Sequence, residues 1–246
     1  MKRLRRVTEA EVIAEFLKNE FYEEEFHRDR QQFEHLVLDP DVTREDENQL
    51  RRALLFRRRG HMWRELPPDT QWWEMQLDPE DLCKLRVFPR AHWRKIADGS
   101  FALADIVERI RTRKFSGKVD DFISKVHSLS YMLRFGHDTS SVIVIGESVG
   151  ADMTIIEGNH RLTAAMLAAP ESLHTRFRVF LGASPRMNEV CWHNGNVKTI
   201  ARYLRNRLKH LWTDKDTDLS RFQVPEPSHH KEAYAKAVGK VVPESK

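Results

Sequence analysis

Cysteine is scarce in this chain: 246 residues carry only Cys83 and Cys191. Two isolated thiols build neither a disulfide framework nor a paired-cysteine zinc site, which suits a reducing compartment, and a cytoplasmic location is expected. Long apolar runs are missing as well. No stretch reaches the roughly 20 residues that cross a bilayer, and the basic opening MKRLRRV leads into TEAEVIAEF rather than a signal core, so no membrane partner is expected. Charge of one sign is lacking too. With 41 Lys and Arg against 37 Asp and Glu, the formal charge of +4 permits nucleic acid without demanding it. No H-E-x-x-H spacing offers a dedicated metal site. What is present is length enough to bury a core without staples.

The first 66 residues read as helix. Thr8 and Glu11 form a capping-box signature, and Val12, Ile13, Phe16, Leu17, Phe26 and Phe33 recur at helical intervals. A second helix is expected from near Thr43 to Gly60, with Leu50, Ala53, Leu54 and Phe56 on one side. Arg57, Arg58 and Arg59 then fall in its last turn, where cations suit the helix dipole. LPPDTQWW breaks the helical pattern, so residues 67–81 read as a linker behind an N-terminal helical extension. Trp63, Trp72, Trp73 and Trp93 gather around that junction as glue between extension and core.

From residue 82 to 212 the pattern is mixed α/β. KLRVFP predicts a short strand closed by Pro89, while FALADIVERIRTR and VDDFISKVHSLSYML predict helices. SVIVIGE, DMTIIE and RFRVFLG are short and β-branched, as buried strands are. Between the last two, HRLTAAMLAA predicts a helix stopped by Pro170. The expected fold is a small mixed sheet flanked by helices, with residues 213–246 as a mobile tail.

The turn IIEGNHRLTAAML joins strand to helix through Gly158, which lets the backbone bend sharply and aims the first amides of the helix outward as anion donors. His160 and Arg161 sit where the helix dipole repels cations. An anion should compensate them. Glu157 can do so as an internal partner at an ordinary turn, or a nucleotide phosphate can do so across the amides and the Arg161 fork. Arg90, His92 and Arg94 in FPRAHWR share one side if extended, either as a second phosphate clamp or as exposed loop cations. In FLGASPRMNEVCWHNGN, Ser184, Arg186 and His193 form a second polar loop. A parallel strand beside the signature strand would bring that loop to the same rim.

The order E-G-N-H-R-L-T-A-A resembles the D/E-G-x-H-R-x-x-A signature of the ParB and sulfiredoxin superfamily, across about residues 82–182. That resemblance implies a ParB/sulfiredoxin-like domain whose turn grips the phosphates of a nucleotide. It implies binding by Gly158, Asn159, His160, Arg161 and Thr163, assisted by Arg90 and Arg94. The ligand would be a nucleoside triphosphate or diphosphate, with ATP, ADP and CTP equally admissible; separately from the resemblance, a magnesium ion accompanying the phosphates could use Glu157. Sulfiredoxins carry a cysteine before the His-Arg pair, where this chain has Asn159, so sulfiredoxin chemistry is not expected. The helix-turn-helix of chromosome-partitioning ParB proteins has no counterpart. Free-serine kinases carry D-G-H-H-R, the nearest version in kind, although their separate glutamate motif is not evident here.

The leading expectation is therefore a nucleotide-dependent phosphotransferase or NTPase acting on an unknown phosphate acceptor, with Glu157, His160 and Arg161 as the catalytic groups. A ParB-like DNA- or RNA-binding or nuclease-type module, using Arg57, Arg58 and Arg59 on phosphates, is the rival. A catalytically inert interaction protein is the third expectation.

Overall fold

A computed structural model describes residues 1–135, 140–168, 177–213, 219 and 222. Six strands form one mixed sheet: β1 (Lys2–Val7), β2 (Gln71–Gln76), β3 (Leu85–Arg86), β4 (Ser141–Gly146), β5 (Met153–Glu157) and β6 (Arg178–Ala183). Their order across the sheet is β1-β2-β6-β4-β5-β3. Every residue of β4 is buried. Val142 and Val144 point into one core, Ile143 and Ile145 into another, so both faces of the sheet need covering.

The two covers come from different parts of the chain. Helices α1 (Glu9–Glu20), α2 (Arg30–Leu38) and α3 (Glu45–Trp63) bring Phe16, Leu17, Phe33 and Leu54 against Ile143, Ile145, Ile156 and Phe180. The opposite face is closed by α4 (Ala91–Ala97), α5 (Leu103–Thr112), α6 (Lys118–Phe135) and α7 (Asn159–Ala168), through Trp93, Ile106, Val126 and Leu162. Helix α8 (Val197–Thr213) follows β6. Among the described residues no helix is long and apolar enough to cross a membrane.

Several expectations need correction. The opening residues are strand, not helix: β1 pairs antiparallel with β2, and its bulge lies between Arg3 and Arg5. The expected linker contains β2, which pairs with β6 on its other side. The first third is thus one layer of a shared sheet rather than an appendage. Helix α3 does not stop at Gly60 but runs on to Trp63, because Leu55, Phe56, Met62 and Trp63 keep an apolar face buried through that point.

The arginine run in α3 is accordingly mid-helix, and its cations have acid partners. Arg57 and Arg58 donate to buried Asp29 at 2.8 and 3.3 Å, and Arg59 pairs with Glu20. The tryptophans separate too. Trp63 stacks on Trp72, with centroids 5.6 Å apart, whereas Trp73 lies under Arg3 and Trp93 is on the far side of the sheet. Gly182 faces Trp72 across the β2–β6 pair. A Cβ there would meet the indole at 2.7 Å, so the smallest residue makes room for the largest.

The strand-helix-strand unit forms, but not as parallel neighbours. β4 lies between β5 and β6, antiparallel to the first and parallel to the second. The ends of β5 and β6 therefore lie on opposite rims. Pro170 lies outside the described residues, as does the tail apart from residues 213, 219 and 222. Leu219 and Phe222 pack against the core under the N-terminal helices.

Candidate active site

The turn between β5 and α7 is built around Gly158 at φ +94°, a conformation that disfavours a side chain. A Cβ there would also come within 3.0 Å of Val142 Cγ2, so the close approach of β4 requires glycine a second time. The first helical bond of α7 is donated by Leu162 to the Gly158 carbonyl at 2.9 Å. The amides of Asn159, His160 and Arg161 precede it, at the positive end of the helix.

Asn159 works as a latch. Its Oδ1 accepts the Phe88 amide at 2.8 Å, holding the segment after β3 beside the turn. Because β3 and β5 are parallel, that segment exits on the same rim as Gly158. A second tie comes from α1: Asn19 Nδ2 donates to the Ser141 carbonyl at 2.9 Å, where β4 begins. In the sheet Ile143 is opposite Glu157, so the end of α1 lies beside the end of β5.

These ties enclose a cleft of about 730 Å³. Its floor is the turn itself, from Ile156 to Arg161. Phe88, Trp93 and Phe122 make one wall apolar, with Arg90 and Lys125 reaching over it. Glu20 at the end of α1, Glu23 and Glu24 just after it, and Arg59 of α3 make the other wall. Four cationic side chains (Arg59, Arg90, Lys125, Arg161) thus face four carboxylates (Glu20, Glu23, Glu24, Glu157) across a partly aromatic pocket.

Glu157 forms an ion pair with Arg161 one turn along. Burial and the adjacent Glu20, which hydrogen-bonds to it, push its carboxyl up to about 8 against the opposing pull of Arg161. Protonation of Glu157 relieves the repulsion between two carboxylates so placed. Arg59 closes the array from behind Glu20. The His160 ring opens to the cleft yet lies 4.9 Å from Phe122 and 5.4 Å from Trp93 by centroid. Burial holds its pKa below the usual histidine value, although Glu20 pulls the other way, which favours a neutral imidazole near pH 7.

The cleft thus unites Glu157, Gly158, Asn159, His160, Arg161 and Arg90, but not every residue expected with them. Thr163 is fully buried, and its hydroxyl donates to the Asn159 carbonyl at 2.7 Å inside α7, so it cannot reach a ligand. Arg94 donates to the Pro89 carbonyl at 2.7 Å and lies outside the lining. The extended spacing that grouped it with Arg90 fails because α4 begins at Ala91.

The second loop stands on the opposite rim, beside Gly146 and Met153. There Ser184 donates to Asp69 at 3.0 Å, Arg186 pairs with Glu189, and His193 Nδ1 lies 3.1 Å from the buried Thr154 hydroxyl. These contacts bind the loop to its surroundings. As a metal ligand Glu157 is compromised by Arg161 on one oxygen and by the burial and neighbouring Glu20 that favour its protonated form. Among the described residues, no three His, Cys, Asp or Glu converge as a metal cage.

Sequence reasoning weighed Arg59 only for nucleic acid, and passed over Glu20, Glu23, Glu24, Phe122 and Lys125. All but the last two come from the N-terminal layer. The nearest local signal was the run of glutamates after α1, which has no apolar periodicity of its own. Comparisons with family models, with curated proteins and with solved structures found no significant match to this chain.

Proposed function

We propose that the cleft binds a nucleoside triphosphate or diphosphate and transfers or hydrolyses its phosphoryl group. The observation that carries this reading is the opening of the Gly158 turn, with its leading amides, into a cleft that also holds Arg59, Arg90, Lys125 and Arg161. The resemblance of E-G-N-H-R to the ParB and sulfiredoxin signature supports the same ligand class.

In this reading the amides of α7, with Arg90 and Lys125, hold the phosphates. The apolar wall of Phe88, Trp93 and Phe122 accommodates the nucleobase. Arg161 neutralises charge that develops on the transferred group. Glu157, whose carboxyl is pushed up to about 8 by burial and Glu20, acts from its ionised form, taking the proton from the attacking hydroxyl of the acceptor or of water, so turnover should rise with pH towards 8. His160 donates a hydrogen bond from a neutral ring. Magnesium arriving with a nucleotide would draw its ligands from phosphate oxygens and water rather than from a protein cage.

The nucleic-acid alternative relied on Arg57, Arg58 and Arg59; Arg57 and Arg58 are held by buried Asp29, which weakens it, and Arg59 lines the cleft instead. Isothermal titration of ATP, ADP and CTP, each with magnesium, tests the favoured reading. Heat of binding is expected for the wild type, and a roughly tenfold or greater loss of affinity for Arg161→Ala. Negligible heat for all three nucleotides with both proteins would eliminate it.

A further inference from the structure

Helix α8 carries a surface that the cleft does not use. One side of it is tied to the body: Thr199 and Tyr203 are buried, Tyr203 meets Trp192 edge-on at 4.6 Å, and Asn206 donates to Glu65 at 3.0 Å. With each residue turning the helix by about 100°, these three lie together, and Val197, Leu204 and Leu208 lie opposite them. The outward side is apolar. Val197 is 84 % exposed, Leu208 60 %, Leu204 52 % and Ile200 45 %, whereas the other exposed large apolar side chains among the described residues are divided between β1, α2, α6 and the turn after α1. Exposed hydrophobic residues met singly need no explanation, but four on one outward line do.

The helical rotation widens that line into a band. Exposed Ala201 falls within it, the position of Leu211 falls between those of Ile200 and Leu204, and the position of Trp212 marks its edge, so the band covers about 120° of the helix. Beyond the edge that carries Trp212, the positions of Arg205, Lys198 and Lys209 follow at successive rotations, and α8 has no Asp or Glu to offset them. Arg202 and Arg207 bond to Glu189 and to the Tyr203 hydroxyl, and stand apart from this margin.

Seventeen residues with five Lys and Arg do not cross a bilayer, but they can lie in the plane of one. A broad apolar band, a tryptophan position where the band meets the cations, and a basic margin without acids together match an anionic bilayer surface. A partner helix packs along a narrower seam. A partner's groove would have to enclose α8 from both sides, and the body to which α8 is bonded stands in the way. A flat surface meets no such obstacle, because the band points directly away from the body.

We propose that α8 binds the surface of an anionic phospholipid bilayer, lying in its plane with the apolar band at the acyl boundary and Lys198, Arg205 and Lys209 among the headgroup phosphates. The test is flotation of the full chain with vesicles of phosphatidylcholine alone and of phosphatidylcholine with phosphatidylserine. Binding to the phosphatidylserine vesicles is expected, weakened by salt and roughly tenfold or more tighter than to phosphatidylcholine alone. Leu204→Glu, and separately Lys198→Glu with Arg205→Glu, should each weaken it roughly tenfold or more while leaving the thermal melting point in place. Met132→Glu puts the same charge at an exposed apolar residue of α6, across the sheet, and should leave binding unchanged. Absence of binding to phosphatidylserine vesicles overturns the proposal, as does equal binding by the Leu204→Glu protein or an equal loss in the Met132→Glu protein. Without vesicle binding, capture of a synthetic leucine- and glutamate-rich amphipathic helix that Leu204→Glu abolishes would assign the band to a partner protein. Self-association in sedimentation, lost in the same variant and again without vesicle binding, would assign it to a second copy of the chain.

Discussion

Glu157 shows how one side chain can be set by the company it keeps. Its carboxyl is raised from the ordinary 4.5 to about 8, so the folded chain binds a proton that the unfolded chain releases in this interval. Stability linked to this group is complete below about pH 4.5 and declines as pH rises towards 8, by an amount on the order of a few kcal/mol. Thermal melting followed between pH 5 and 8 should show that decline, and Glu157→Gln should flatten it. An equally steep decline in the glutamine protein would assign the slope to other groups. Glu20→Gln removes the neighbouring charge, so the midpoint should move down from about 8, both in melting and in the pH profile of any turnover.

The cleft was half legible at this scale. The E-G-N-H-R order and the glycine exposed the floor, because turn chemistry is local. Glu20 left no such trace, and Arg59 stood out only as part of an arginine run, not as a member of this cleft. Their role depends on where α1 and α3 land, and a polar residue at a helix end looks the same whether it faces water or a carboxylate 137 positions away in the chain.

Among elements, the latch between the segment after β3 and the start of α7 is the most exposed to test. Asn159→Ala leaves the Phe88 amide without its acceptor, at a cost of about 1–3 kcal/mol, and frees the Arg90 segment. Nucleotide affinity should fall together with stability in denaturant titration, and Asn159→Asp, which keeps an acceptor oxygen but adds a charge that repels phosphate, should restore most of the stability and little of the affinity. An alanine variant with unchanged midpoint and unchanged affinity would show that the rim is held by other contacts.

Elements also mark where local pattern reading succeeds. β4, β5 and β6 declare themselves by β-branched runs buried on both faces, and α5 by its strong apolar stripe. β1 does not, because KRLRRV is an edge strand whose first five residues are exposed, and cations on an edge give no apolar alternation. β2 was hidden behind two prolines, with its buried Trp72 and Met75 directed into different cores.

For the whole molecule, the shared sheet makes a sharp claim about boundaries. A fragment of residues 82–212 lacks β1, β2 and all three helices that cover Ile143, Ile145, Ile156 and Phe180. It is expected to be insoluble or to lack a cooperative thermal transition, whereas the full chain should melt cooperatively. A soluble fragment with a sharp melt and intact nucleotide binding would restore the extension-and-core description. The mixed α/β class was readable from residues 82–212 because its segments alternate. The second covering layer was not, since nothing in an amphipathic helix names the surface it will meet.

The wide separation between that layer and the strands beneath it reaches back to synthesis. On the ribosome, the apolar sides of α1, α2 and α3 emerge long before Ser141–Gly146 and Arg178–Ala183 exist to receive them. Throughout that interval the nascent chain must keep Phe16, Leu17 and Phe33 away from unrelated surfaces, so its yield in a cell depends on chaperone supply and elongation speed as well as on final stability.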